Sequence, residues 1–238
     1  MSEEIKKEVK VSKNNQYLMP GAIIIAGLII AGAVFLTQGS KTAKTTETKN
    51  VSGNKLLEEE VLPITDEDHV FGSRDADVFL IEYSDYKCGY CGLFHSTIED
   101  VIKENDGRVA WVYRHTPYQP GGKELAVASE CVAELAGEDA FWAFTNDIFA
   151  NQKFVSDKWV SDEIAKFSVD NAKFKECLSS DKYDSLISKH VSNAQGLGGN
   201  GTPYNVILTK DGGVIKFSGA QPKERVDIFV NRALNSIK

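Results

Sequence analysis

From about Val61 onward the apolar residues fall in short runs and helical stripes, and their order predicts an architecture. Val78-Phe79-Leu80-Ile81-Glu82-Tyr83 is a compact apolar and aromatic run, as expected of a strand covered on both faces. Through Ser84-Asp85-Tyr86-Lys87 it hands over to a helical stripe of Phe94, Ile98, Val101 and Ile102. Asp106-Gly107 stops that helix, and Val109 to Tyr113 supplies a second strand. Strand, helix, strand with short joints predicts a parallel βαβ unit. After a break at Pro117 to Gly122, helices are predicted over Glu124–Leu135, Asp139–Phe149, Lys158–Phe167, Asn171–Leu178 and Asp181–Ala194. Two further strands, Tyr204–Leu208 and Val214–Phe217, flank Lys210-Asp211-Gly212-Gly213, a hairpin signal. A last helix runs from Pro222, placed where a missing N–H costs nothing, to Ile237. The predicted order is βαβ, five helices, then ββα: an α/β domain interrupted by an all-helical one.

The N-terminal pattern is different. Tyr17 to Thr37 holds no charge across its length and no polar stripe, and at about 1.5 Å per residue it reaches roughly 31 Å. It predicts a transmembrane anchor at 17–37 behind a cytoplasmic tail at 1–16. The competing reading is a cleaved signal peptide with Ala31-Gly32-Ala33 as its processing site, but such apolar regions run to about 7–15 residues. Lysines on the two sides balance, so charge alone leaves the orientation open. Residues 38–60 are rich in Lys, Thr, Ser and Glu and predict a flexible stalk.

Composition narrows the function. Net charge is −7, and because the first 60 residues nearly balance, residues 61–238 hold about −8. An acidic surface of that kind argues against nucleic acid as a partner. Four Cys are too few for a disulfide scaffold, yet two of them form Cys88-Gly89-Tyr90-Cys91 where the first strand meets the first helix. A C-x-x-C pair at a helix N-terminus brings two thiols within bonding reach, and the helix end stabilises a thiolate on the first. Cys88 is then the nucleophile and Cys91 the resolving thiol, with no metal or organic cofactor required. Haem attachment needs His after the second Cys, where Gly92 stands. Zinc held by Cys88, Cys91 and His95 lacks the second close-spaced pair of a structural site, since Cys131 and Cys177 lie 46 residues apart.

The run from Glu82 to His95, EYSDYKCGYCGLFH, resembles the active-site segment of the DsbA-like branch of the thioredoxin superfamily. These are envelope thiol–disulfide oxidoreductases with a helical domain inserted in a thioredoxin fold. The resemblance runs from about His69 to the C-terminus and includes Glu130-Cys131, Phe141-Trp142, Phe149-Ala-Asn-Gln152 and Gly199-Asn-Gly-Thr-Pro203. It implies a thioredoxin-like domain at 61–118 and 197–238 with a helical insertion at 119–196. It also implies a cis Pro203 facing the cysteines and a Thr202 that pairs with substrate backbone, beside Gly89 and Tyr90. The Gly-Tyr dipeptide and the Thr before the proline are similar to DsbC-type isomerases, whose separate dimerisation domain has no counterpart in residues 38–68. Oxidase, isomerase and reductase therefore stay open.

Glu82 interrupts an apolar strand six residues before Cys88. Buried there its pKa rises, making it a proton acceptor for the resolving thiol; on an edge strand it is merely solvated. His95 and His115 are read as packing residues. Cys131 and Cys177 fall on apolar stripes of different predicted helices and are expected to bond, the alternative being two buried free thiols. The expected partners are cysteine-containing protein substrates, a membrane or envelope redox partner, and the membrane itself. An oxidising compartment places residues 38–238 outside the cytoplasm. A non-catalytic thioredoxin-like binding module or holdase is the rival reading.

Overall fold

The computed structural model describes residues 60–237. The predicted tail (1–16), anchor (17–37) and all but the last residue of the stalk (38–60) lie outside the described residues. Among the described residues no helix is long and apolar enough to cross a membrane.

Five strands form one sheet in the order β1-β3-β2-β4-β5. They are β1 (His69–Phe71), β2 (Val78–Ser84), β3 (Val109–His115), β4 (Tyr204–Thr209) and β5 (Val214–Ser218). β2 runs parallel to β3, and the connecting helix α1 (Gly89–Glu104) completes the predicted βαβ unit. β4 and β5 are antiparallel neighbours, as the Asp-Gly signal implied. The sheet's central strand is β2, where Glu82 pairs with Tyr113 on one side and Asn205 on the other. The edge alternative for Glu82 therefore falls.

Between β3 and β4 lie α2 (Gly122–Ala136), α3 (Glu138–Ala150), α4 (Asp157–Ile164), α5 (Asn171–Ser179) and α6 (Asp184–Gly196). α7 (Lys223–Leu234) closes the chain with Pro222 as its N-cap rather than inside the helix. Three predicted helices are shorter than expected, the last of them stopping at Leu234 rather than Ile237. The fourth ends as a single 3-10 turn, Ala165–Phe167, because Ser168 turns left-handed (φ 56°), and the sixth is preceded by a 3-10 turn, Asp181–Tyr183. Strand β1 was not predicted: three residues are too few for a period-2 pattern to show.

The insertion does not have a core of its own. Trp111 and Tyr113 on β3 pack against Trp142 (4.9 Å) and Phe141 (5.9 Å) on α3, and Tyr86 meets Phe149 at 5.3 Å, all within one continuous apolar cluster. Inside the insertion a disulfide joins Cys131 on α2 to Cys177 on α5, with Cα atoms 5.9 Å apart. Tying residues 46 positions apart stabilises by about 4 kcal/mol through loop closure.

A buried polar bridge reinforces the aromatic seam. His115 Nε2 meets Glu130 at 2.9 Å, and His69 lies between Glu130 (3.3 Å) and Glu138 (2.7 Å) with its ring stacked on Phe141. Burial disfavours the imidazolium of His69, yet the two carboxylates outweigh it and raise the pKa to about 9. Burial likewise works against the Glu130 carboxylate, but both histidines hold it down at about 2. Alongside, Arg114 Nε donates to Asp68 at 2.8 Å, and the same guanidinium binds the Leu62 and Pro63 carbonyls.

The bridge sets a pH window for stability. His69 has a raised pKa, so its contribution is complete below about 6.5 and is lost as pH rises through about 9. Glu130 has a lowered one, so its contribution is complete above about 4.5 and is lost as pH falls towards about 2. Glu130→Gln should cost roughly 3–5 kcal/mol on the plateau between those limits. The difference from wild type, read by urea unfolding, should shrink on both sides of the plateau; a difference independent of pH would count against the bridge.

Candidate active site

The βαβ connection places the two cysteines. Cys88 is the N-cap of α1 in extended conformation, with no side chain capping the helix, and Cys91 lies one turn in. The Cys88 carbonyl accepts from the N–H groups of Cys91 (3.1 Å) and Gly92 (3.2 Å), starting the helix at the thiol. Both thiols are free, Cys88 half-buried and Cys91 with no exposed surface. The loop before them is held by Asp85, whose carboxylate accepts from Lys87 N (2.9 Å) and Gln119 N (2.7 Å).

Opposite the pair stands the β4 loop, where the Thr202–Pro203 peptide is cis. As a thiol, Cys88 donates to the Thr202 carbonyl at 3.2 Å. Tyr90 is 68% exposed beside it. A groove of about 680 Å³ opens here, lined by Cys88, Tyr90, Tyr118, Gln119, Gln195 and Thr202 among others, with no Asp, Glu, Lys or Arg among the described residues of its wall. A second cavity of about 580 Å³ lies inside the insertion, between α2, α4 and α5, away from the cysteines.

Electrostatics separates the two thiols. Hydrogen bonding from the Cys91 thiol, aided by the Thr202 hydroxyl and the N–H groups of Cys91 and Tyr90, lowers Cys88 to about 5 against an opposing desolvation. Burial, together with the neighbouring Cys88 thiolate, pushes Cys91 far above the usual thiol range. Glu82 is wholly buried beneath them, and that burial raises its carboxyl to about 8 despite a 2.9 Å bond from the Ser84 hydroxyl. Glu82 Oε2, Trp111 Nε1 and Tyr113 Oη are buried here without hydrogen-bond partners among the described residues. Between about pH 5 and pH 8 the Glu82 carboxyl is protonated and Cys88 carries the negative charge.

The structure thus brings Cys88, Cys91, Glu82, Gly89, Tyr90, Thr202 and Pro203 to one place. Cys131 and Cys177 lie apart from it, in the insertion. His95 is buried between α1 and α3 and bonds the Asn146 amide at 2.6 Å, facing away from the pair rather than completing a zinc site. Among the described residues no group of His, Cys, Asp and Glu is arranged to hold a metal ion. Sequence reasoning missed Ser84, which bonds Glu82 and also favours a Cys91 thiolate. It also missed Asp85, whose only sequence signal was its place between strand and cysteines.

The chain is 28% identical over 138 residues to the Na(+)/H(+) antiporter NhaA 3 of Salinispora tropica, a match covering 58% of this chain and 21% of the antiporter. It spans about a fifth of the length of that first group of curated relatives. A probable disulfide bond formation protein D of Bacillus cereus is 24% identical, covering 76% of this chain and 86% of the relative. Two solved structures share the fold. One is alpha-DsbA1 of Wolbachia pipientis (TM-score 0.64, 22% identity, 75% of this chain and 98% of the other). The other is oxidised BdbD of Bacillus subtilis (TM-score 0.60, 24% identity, 71% and 94%). A thioredoxin family profile matches residues 65–214, well over half of the chain, and with the cis-proline loop opposite a C-x-x-C helix start it settles the assignment. The chain belongs to the thioredoxin family and has the DsbA-like form of its fold.

Proposed function

We propose that the protein is a thiol–disulfide oxidoreductase that exchanges disulfides with cysteine-containing proteins through Cys88 and Cys91. The observation that carries this reading is the placement of the two thiols: a half-buried Cys88 at the N-cap of α1, bonded to the Thr202 carbonyl of the cis-proline loop, with a fully buried Cys91 one turn in; the same setting lowers the first thiol and raises the second. In the oxidising direction a client thiolate attacks Cys88 Sγ of the Cys88–Cys91 disulfide, and Cys91 leaves and takes up a proton. A second client thiolate then attacks the client sulfur of the mixed disulfide and releases Cys88 as a thiolate. Two electrons pass from client to enzyme, and an external disulfide of a redox partner reoxidises the pair.

Glu82 and Ser84 fit proton exchange with Cys91, since a carboxyl near pH 8 both gives and takes a proton at neutral pH. The uncharged groove beside Cys88 suits an extended peptide, with Thr202 at the cis peptide as its backbone partner. A low-pKa Cys88 favours donating or shuffling disulfides over reducing them, because it stabilises the reduced enzyme. The Gly-Tyr dipeptide and Thr202 support isomerisation as the second reading. The binding-module rival gives no role to a lowered Cys88 set over a buried resolving thiol.

The reading extends to the cell. The charge-free run at 17–37 anchors the chain in a membrane, and residues 38–238 face an oxidising compartment outside the cytoplasm.

Variants separate the roles of the two thiols. Cys88→Ser abolishes exchange with a reduced model substrate, whereas Cys91→Ser accumulates mixed disulfides with clients on non-reducing gels. Trapping by Cys88→Ser instead would reverse the assignment, and turnover surviving in both would remove it. For the anchor, alkaline carbonate washing should leave the full chain in the membrane pellet with residues before Tyr17 intact. A mature chain starting just after Ala33 contradicts the anchor.

A further inference from the structure

The turn between α3 and α4 belongs to the helical insertion, yet it touches the loop that carries the reactive thiol. Phe149, buried at the end of α3, packs against Tyr86 (5.3 Å) and His95 (4.7 Å) and seats the turn on α1 and its loop. Three residues on, the Gln152 side chain donates through one nitrogen to two carbonyls, Tyr86 O at 2.9 Å and Cys88 O at 3.0 Å. Two carbonyl acceptors leave no ambiguity in which end of the amide faces them. Lys87, the residue between, reaches back from the loop to the Val155 carbonyl at 3.4 Å.

Gly92 makes room for this contact. A Cβ at position 92 would stand 2.5 Å from Gln152 Oε1, so any larger residue there pushes the amide aside. α1 has no side-chain cap of its own. Beyond the helix's own Cys91 and Gly92 N–H groups, the Cys88 carbonyl accepts from the Gln152 side chain, which ties the first turn to the insertion.

We propose that Gln152 is a positioning residue for Cys88, through which the helical insertion sets the reactivity of the thiol pair. This rests on the exchange function proposed above. The amide fixes both carbonyls that flank the turn into α1. It thereby keeps the Tyr90 and Cys91 N–H groups aimed at Sγ, where they stabilise the thiolate. Without it the turn relaxes, those donors drift, and the reduced form loses its preferred charge.

The test is the ultraviolet thiolate absorbance of the reduced full-length chain against pH, with the Cys131–Cys177 bond left intact. Cys88 is then the only thiol titrating in the accessible range, with a wild-type midpoint near 5. Gln152→Ala should raise the midpoint by about one unit, a tenfold loss of thiolate stability. The equilibrium constant against glutathione should move tenfold towards the reducing side, or about 30 mV for a two-electron couple. Gly92→Ala keeps every side chain and improves helix propensity, yet should shift the midpoint the same way by displacing the amide. Added to Gln152→Ala it should do nothing further, because the atom it displaces is gone. Unchanged midpoints in both single variants, even with lower melting temperatures, would overturn the proposal. If Gln152→Ala does not fold, Gly92→Ala decides alone. A wild-type midpoint near the free-thiol value of about 8.5 overturns the exchange function itself, and this proposal with it.

Discussion

Cys88, Cys91 and the Glu82 carboxyl share one largely dry site between the end of β2 and the start of α1, and desolvation makes a second negative charge there expensive. The charge settles on Cys88 because it receives the hydrogen bond of the Cys91 thiol, with the Thr202 side chain and the N–H groups of Cys91 and Tyr90 adding to it. Cys91 and Glu82 stay neutral, being walled in by the sheet. Much of the fold serves this asymmetry: a central β2 that buries the acid, a helix start that exposes the first thiol, and a cis-proline loop that closes the opposite side.

The helical insertion is part of that arrangement rather than an appendage. Its aromatic residues complete the core over β3, and Glu130 ties it to β1 and β3 through His69 and His115. The Cys131–Cys177 bond keeps α2 and α5 together, while Phe149 and Gln152 contact the thiol loop. The insertion thus reaches both sides of the thiol: Gln195 lines the groove beside Cys88, and Gln152 bonds the Cys88 carbonyl.

Much of this was legible in the sequence, because periodicity and punctuation are local. The strand at Val78, the helix stripe after Cys91, the Asp-Gly hairpin and the all-helical middle each show their period within a few residues. Glu82 was visible as a charge breaking an apolar run. The His69–Glu130–His115 bridge was not, since its members are 15 to 61 residues apart and meet only when α2 packs on the sheet. Gln152 stood inside a quoted run with no role attached, because a side chain that binds backbone carbonyls leaves no compositional trace. The sequence pattern places Ser84 in the joint between strand and helix, whereas the structure makes it the last residue of β2 and a donor to Glu82.

The central claim is that a stabilised Cys88 thiolate makes the pair oxidising, and its redox equilibrium with glutathione tests this most directly. A nucleophile near 5 lies between the about 3.5 of DsbA and the about 7 of thioredoxin, so the potential should fall between their values of about −120 and −270 mV. A potential at or below about −270 mV would mean the reduced form is not stabilised, and would contradict the account.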